Sequence, residues 1–165
     1  MRLKNPFRDM RTIRILLEGA EDEAHRAGES LPGAEHLLLA ALDLPDGTAR
    51  RAFERVGADP GALRQAIEDR HAEALRAVGI DADAGAELAG SVAPRTNGVH
   101  RSSASAQSAF QAAGKLARKT RTQLVGAHVL LAITDMEHGT AIRALRSLGI
   151  DVHALAVAAR EEAGP

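Results

Sequence analysis

The amino-acid sequence predicts an all-α fold in which a four-helix unit occurs twice. Apolar residues recur at helical spacing between turns rich in Gly, Pro and Asp, and no segment alternates as a strand does. The two most apolar helical runs each open on a glycine: residues 33–42 read GAEHLLLAAL, and residues 126–133 read GAHVLLAI. A helix that is apolar on nearly every side belongs in a protein interior. Each unit is therefore expected to be organised around one of these runs.

The two units match in both their apolar faces and their turns. The face of the first helix returns at a constant offset, with Ile13, Leu17, Ala20 and Ala24 becoming Ala106, Phe110, Ala113 and Ala117. Gly33 becomes Gly126 at the same offset, whereas Gly47 becomes Gly139 at an offset shorter by one. We attribute the change to a one-residue deletion in the turn after the second central helix. The repetition indicates an internal duplication, and the repeats are expected to pack about a pseudo-twofold axis.

These patterns divide the chain into four segments. We expect an N-terminal arm at residues 1–8, a first four-helix repeat at 9–79, a flexible linker at 80–102 and a second four-helix repeat at 103–162, with both repeats forming one domain. Asp9 is expected to cap the first helix, Gly28 to end it in a left-handed turn, and Thr48 to cap the third helix. The linker composition, rich in Ala, Gly and Ser, also accounts for Ser102, Ser103, Ser105 and Ser108.

The composition excludes several classes of function. The 165 residues carry a formal net charge of -1, so the chain has no basic field for nucleic acid or an anionic membrane surface. Aromatic residues make up 2% of the chain, too few for base-stacking platforms. No segment has the length and apolarity of a membrane span or signal peptide. The absence of cysteine excludes disulfides and thiolate chemistry. A cytoplasmic location is expected.

No catalytic or metal-binding motif has its required spacing in this sequence. There is neither the phosphate loop of an ATPase nor the nucleophile elbow of a hydrolase. The seven histidines include no pair at i, i+4. Most of them are scattered over different predicted elements, namely His25, His71, His100, His138 and His153. We therefore expect no enzyme activity, no cofactor and no metal.

The repeated motif resembles the Clp N-terminal domain, also called the Clp repeat domain, of ClpA-, ClpB- and ClpC-type unfoldases. In that family a Gly-Thr-Glu-His-hydrophobic-Leu-Leu run opens the second helix of each repeat. Here the runs are residues 33–38 and 126–131. The resemblance covers about residues 9–77 and 103–162, and it implies a double four-helix fold. Because the chain ends at Pro165 without a phosphate loop, we expect a stand-alone N-domain without the ATPase modules.

The resemblance also implies a ligand site at the start of each central helix. In ClpC-like members these starts bind phosphoarginine: the motif Glu faces the guanidinium, and the motif Thr and the helix start hold the phosphate. The candidate ligand-binding residues are therefore Gly33, Ala34 and Glu35, and Gly126, Ala127 and His128. Ala34 and Ala127 replace the family's Thr, and His128 stands where the second Glu should be. The first repeat is therefore predicted to be the better site.

Elementary chemistry gives these residues structural roles as well. Free backbone N–H groups at a helix start suit an anion, and a carboxylate beside them grips a guanidinium. An acidic residue such as Glu35 in the first turn is also favoured by the helix dipole. His36 is expected to be a buried, hydrogen-bonded imidazole, and His128 is expected to face solvent.

Three functions are compatible with these features. The first is a protein-binding module that recognises substrate segments, adaptors or phosphoarginine marks and modulates a Clp unfoldase–protease; its partners would be a Clp ATPase, adaptors or substrate proteins. The second is a decoy or regulatory helical protein that kept the fold and lost peptide and phosphoarginine binding. The third is a small enzyme that uses Glu35 and a histidine as acid and base, although the sequence shows no partner residue for them.

Overall fold

The structure, a computed structural model, describes residues 6–79 and 102–165. Within these ranges it consists of eight α-helices and a short 3-10 helix (Pro60–Ala62) without a β-strand, which confirms the all-α prediction. The helices are α1 (Pro6–Arg26), α2 (Ala34–Leu42), α3 (Thr48–Arg55), α4 (Leu63–Ala77), α5 (Ala104–Lys119), α6 (Gly126–Thr134), α7 (Thr140–Ser147) and α8 (Val152–Ala163). The predicted linker at 80–102 lies, apart from Ser102, outside the described residues.

Helix α1 begins at Pro6 rather than at Asp9, so the end of the predicted arm is helical. Proline is favoured at the first helical position because its missing N–H would have no partner there. Asp9 does not cap α1. Its Oδ1 accepts a hydrogen bond from the Leu124 N–H at 3.0 Å, just before α6, so the carboxylate serves the other repeat and the predicted cap is wrong. Gly28 follows the end of α1 with a φ of 76°, as predicted.

The two predicted central helices, α2 and α6, form the middle of the core. Every residue from Gly126 to Ile133 is buried, as is every residue of α2 except Glu35. Helix α1 packs on α2, α5 packs on α6, and α2 contacts α6. Fully buried side chains come from the surrounding helices and include Leu16, Phe53, Leu145 and Leu155. On α1, Leu16 is the innermost leucine, whereas the predicted Leu17 is half-buried.

The outer helices interlock the two repeats. Helix α3 of the first repeat packs on α8 of the second, and α4 packs on α7. Between α3 and α8 the guanidinium groups of Arg51 and Arg55 donate to the Glu162 carboxylate at 2.7 Å and 2.6 Å. One hydrophobic cluster therefore runs through helices of both repeats. None of the helices in the described ranges is both long and apolar enough to cross a membrane.

The caps of α2 and α6 fix how the repeats align. In α2 the residue before the helix is Gly33, and its N–H is bound by the third helical residue, His36. In α6 the residue before the helix is Val125, and its N–H is bound by the third helical residue, His128. Both helices have nine residues and end before an aspartate. His128 is therefore the counterpart of His36.

This alignment moves the one-residue deletion to the other side of the central helix. The turn before α2 spans residues 27–33, whereas the turn before α6 spans residues 120–125. The prediction of a deletion after the second central helix is therefore wrong, because the caps and not the glycines are equivalent. Ala127, rather than His128, occupies the position of Glu35, so the second repeat lacks the carboxylate but keeps the motif histidine.

At Gly126, helix α6 lies in close contact with the first repeat. A Cβ atom built there would lie 2.7 Å from the carbonyl oxygen of Ala41 and 3.1 Å from the Cβ of Ala49. The first distance is shorter than real Cβ contacts with backbone atoms, and the second would require Ala49 to shift by a few tenths of an ångström. Packing, rather than its backbone angles, therefore requires this glycine.

Gly126→Ala is expected to destabilise the domain by about 1–3 kcal/mol, the usual cost of overpacking a core. Gly114→Ala, in the middle of α5, is the matched control, since a Cβ there meets only the Arg118 guanidinium at 3.6 Å. The control should stabilise the domain by up to about 1 kcal/mol because alanine is the better helix former. Urea denaturation of both variants measures the difference. Equal stability would show that α6 shifts freely against α2.

Candidate functional site at the starts of the central helices

A buried histidine closes the start of each central helix. Nδ1 of His36 accepts the Gly33 N–H at 2.9 Å, and Nδ1 of His128 accepts the Val125 N–H at 3.2 Å. Burial lowers the pKa of both imidazoles because it disfavours the charged form. Both rings are therefore neutral at pH 7 with the proton on Nε2. The prediction for His36 is confirmed, whereas His128 does not face solvent: it is 1% exposed.

At the first start, a serine of the second repeat supplies the hydroxyl that Ala34 lacks. The Ala34 N–H donates to Ser105 Oγ at 3.2 Å, and Ser103 Oγ lies 3.0 Å from Ser105 Oγ. Ser103 also caps α5 by accepting the Ala106 N–H at 3.3 Å. Linker composition is therefore an insufficient explanation for these serines. This contact could not be predicted from the sequence, because Ser105 and Ala34 are 71 residues apart.

The Glu35 carboxylate folds back over the start of its own helix. Its side chain is 12% exposed, and a Cβ on Gly33 would lie 2.5 Å from Glu35 Oε2, so any other residue at 33 would require the carboxylate to move. Glu35 Oε1 lies 3.3 Å from Nε2 of His71 on α4. Nδ1 of the same ring lies 3.2 Å from Oε1 of Glu29, in the turn between α1 and α2. One imidazole thus lies between two carboxylates, in a cluster that sequence reasoning missed.

The two carboxylates make His71 a cation at neutral pH. The contact with Glu29 and then that with Glu35 raise the pKa of His71 to about 9, against the opposing effect of burial. The same imidazole lowers the pKa of Glu29. At Glu35 burial alone would raise the pKa, but His71 and the residue's own backbone N–H outweigh it and the pKa is lowered. The cluster is therefore a charged one.

The second start is sealed by side chains of the first repeat. The Gly126 N–H donates to the two carboxylate oxygens of Asp46 at 3.2 Å and 3.3 Å, and the Ala127 N–H donates to Thr48 Oγ1 at 2.8 Å. Thr48 is the first residue of α3 and its hydroxyl donates to Asp46, so its predicted role as the N-cap is wrong. The His128 N–H bonds to the Val125 carbonyl. The three candidate residues here are buried and their amides are used within the protein.

Glu35, His36 and His71 also meet the distance requirement for a metal site. One donor atom of each lies within 4.8 Å of the other two, although the histidines were expected to be scattered. However, His36 Nδ1 already accepts the Gly33 N–H, so its Nε2 is protonated and has no lone pair to offer. His71 is protonated as well. The donor set therefore favours an ion-pair cluster over a metal centre.

The contact between Glu35 and His71 is also relevant to acid–base catalysis. Glu35 and His71 are the carboxylate and imidazole partners that a small enzyme would require. Yet the pKa of His71 is about 9 and the pKa of Glu35 is lowered, so neither group exchanges a proton readily near pH 7. The arrangement suits the holding of opposite charges rather than proton transfer.

A largely apolar groove lies beside the first start, between α1 and α5. Its volume is about 210 Å³, and its apolar lining includes Leu17, Pro32, Leu37, Ala106 and Phe110. Leu17 and Phe110 are equivalent residues of the two repeats, and both are half-buried. Ser102, next to the hydroxyl pair, also lines the groove. Such a surface suits an apolar segment of a peptide.

Comparisons with known proteins agree on one domain family. The family model described as "Clp repeat (R) N-terminal domain" matches residues 11–93 and 101–164. The chain is 37% identical over 76 residues to the chloroplastic chaperone protein ClpC of Pisum sativum and 37% identical over 70 residues to chloroplastic ClpC1 of Oryza sativa subsp. japonica. These matches cover 46% and 42% of this chain but only 8% of each relative, so the chain spans a small part of their length.

Two solved structures share the fold. The Hsp104 N-terminal domain from Candida albicans has a TM-score of 0.62 at 17% identity, over 92% of this chain and 89% of that one. The N-terminal domain of the chaperone ClpD from Arabidopsis thaliana has a TM-score of 0.60 at 22% identity, over 92% of this chain and 93% of that one. The predicted double four-helix architecture is confirmed.

Proposed function

Because the chain belongs to the Clp repeat N-terminal domain family, we propose that it is a non-catalytic protein-binding module. It recognises substrate segments, adaptor proteins or phosphoarginine marks and thereby modulates the action of a Clp unfoldase–protease. Its partners are a Clp ATPase, adaptors or substrate proteins. The relatives that share the domain are named as Clp chaperones, which supports this class of partner.

The difference between the two helix starts carries the finer part of the proposal. The first start has a carboxylate, Glu35, and two hydroxyls, Ser103 and Ser105, and all three residues are partly exposed. A phosphorylated guanidinium needs a carboxylate on one side and N–H or O–H donors on the other. The phosphate would lie against the hydroxyls of Ser103 and Ser105, with the guanidinium toward Glu35. The chain would therefore bind one phosphoarginine, at the first repeat.

The groove between α1 and α5 supports the recognition of a longer segment. Pro32 and Ser102 line the groove and immediately precede the residues of the first start. A peptide can therefore place an apolar side chain between Leu17 and Phe110 and a modified arginine at the start of α2. The groove and the start of α2 together would select a peptide segment that carries both an apolar side chain and a modified arginine.

One observation favours a second candidate function. Glu35 is already paired with the His71 imidazolium, which leaves its carboxylate engaged in the free protein. A decoy or regulatory protein that binds a Clp ATPase or adaptor without binding phosphoarginine would retain this pair. The two candidates differ in whether a phosphoarginine peptide binds.

Glu35→Gln is expected to weaken binding of a phosphoarginine peptide roughly tenfold or more, because a charge-assisted hydrogen bond becomes a neutral one. Isothermal titration calorimetry measures the change. Glu137→Gln is the control, since the Glu137 side chain is 90% exposed, and it should leave binding unchanged. Full binding by Glu35→Gln would contradict the proposed site, and no binding by the wild-type chain would favour the decoy.

The expected cytoplasmic location stays a prediction. Both curated relatives described above carry the word "chloroplastic" in their names, which describes those proteins. Fractionation of the source cells with an antibody against the chain would decide the location.

A further inference from the structure

His71 lies where a bound cation would lie. Its ring nitrogens face Glu29 Oε1 at 3.2 Å and Glu35 Oε1 at 3.3 Å. The two carboxylates come from different elements, the turn between α1 and α2 and the first turn of α2, and the imidazole comes from α4. The contact with Glu35 has ion-pair distance but not the alignment of a hydrogen bond, since Nε2 of His71 has no hydrogen-bond partner among the described residues. The imidazole is therefore an imperfect occupant of the space between the carboxylates.

The position of His71 on α4 allows its side chain to leave without disturbing the packed part of that helix. The buried residues of α4 are Leu63, Ala66 and Ile67, all in the part of the helix before His71. Beyond His71 the described part of α4 is mostly exposed, and Val78 is 71% exposed. The His71 side chain itself is 26% exposed. Rotation of this side chain toward solvent leaves the buried residues of α4 in place. It costs His71 its contacts with the two carboxylates, which a ligand cation would have to replace.

We propose that Glu29 and Glu35 form a two-carboxylate clamp for a ligand guanidinium, and that His71 is the resident cation that a ligand displaces from it. The inference rests on the proposed function and adds Glu29 and His71 to it. A guanidinium is planar and always charged, and it presents several N–H donors at once. It can therefore contact both carboxylates from the space that the imidazolium now occupies. Unmodified arginine and phosphoarginine share this chemistry.

A buried donor beside the clamp favours the phosphorylated form. Nε2 of His36 has no hydrogen-bond partner among the described residues, although His36 is only 2% exposed. Its ring centroid lies 6.0 Å from that of His71. When His71 leaves, an oxygen of the ligand can accept this N–H, while the Ser105 hydroxyl lies at the same helix start. Unmodified arginine has no oxygen on its side chain to offer.

The test compares wild type, His71→Gln, His71→Lys and the double variant His71→Gln with Glu29→Gln, by fluorescence anisotropy with a labelled phosphoarginine peptide and its unmodified arginine form. His71→Gln should bind the phosphoarginine peptide roughly tenfold more tightly, because the ligand no longer has to displace a resident cation from the two carboxylates. His71→Lys keeps a cation and should bind like wild type. The double variant should lose the gain. Circular dichroism verifies that each variant is folded, and His138→Gln, with a side chain 92% exposed, is the control for histidine loss.

The outcomes separate this inference from the proposed function. Equal binding by wild type and His71→Gln leaves the phosphoarginine site standing and overturns the resident-cation role. A gain that survives Glu29→Gln overturns the role of Glu29. No binding of either peptide by wild type and His71→Gln overturns both the phosphoarginine site and the clamp. Equal gains for both peptides would establish the guanidinium clamp and contradict the preference for the phosphorylated form.

Discussion

Asp46→Ala is expected to destabilise the domain by about 2–4 kcal/mol, because it leaves several donors unpaired at the contact between the repeats. The Asp46 carboxylate accepts the N–H of Gly126, the N–H of Thr48 and the Thr48 hydroxyl. Gly126 and Thr48 are buried, so water cannot replace the lost acceptor without cost. Urea denaturation followed by circular dichroism measures the effect.

Asp43→Ala is the matched control for Asp46→Ala. It removes the same group three residues earlier, but the Asp43 side chain is 59% exposed and pairs with a half-exposed Arg50 at 3.0 Å. Exposed pairs of this kind contribute about 1 kcal/mol at most. Similar losses from the two variants would show that the Asp46 carboxylate does not hold the start of α6.

The free energy of unfolding is expected to be highest near pH 6.5 and to fall by up to about 3 kcal/mol as the pH rises toward 9. Glu29 and Glu35 raise the pKa of His71 from 6.5 in the unfolded chain to about 9 in the folded one. Over this interval the folded state holds a proton that the unfolded state has released, so rising pH favours unfolding. The chain has no Tyr or Cys to titrate there.

The acidic side of the profile has a different cause. Burial lowers the pKa of His36 and His128 below 6.5. Just below pH 6.5 these two imidazoles therefore bind protons in the unfolded state but not in the folded state. Stability should therefore fall there too. Urea denaturation between pH 5 and 9.5 tests both sides, and His71→Gln should flatten the alkaline side alone. Parallel curves for wild type and His71→Gln above pH 6.5 would exclude the ion-pair cluster.

The helices and the internal duplication could be predicted because they depend on neighbours in sequence. The apolar faces, the left-handed Gly28 and the glycine before α2 act within one or two turns. The alignment of the repeats could not be predicted fully. The sequence comparison matched Gly33 with Gly126, whereas in the structure the equivalent residues are the two caps, Gly33 and Val125. Val125 takes the place of Gly33 at the cap of α6, and Gly126, one residue later, is the glycine that a sequence comparison matches instead.

The composition of the candidate site was predictable only in part. Glu35 followed from the family motif, but its neighbours come from distant segments. Ser105 reaches Ala34 across 71 residues, and Asp46 reaches Gly126 across 80. Such contacts depend on how the outer helices cross between the repeats, which hydrophobic period does not encode. Ser105 and Asp46, which the sequence placed in a linker and a turn, therefore accept hydrogen bonds at the start of the other repeat's central helix.

We expect the first helix start to accept a ligand and the second start to remain closed. Titration of a phosphoarginine peptide into the ¹⁵N-labelled chain, followed by amide chemical shifts, tests it most directly. We expect shifts at residues 33–36 and at Ser103 and Ser105, with saturation at one peptide per chain and no direct effect at residues 125–128. Shifts of equal size at both starts, or saturation at two peptides per chain, would contradict it.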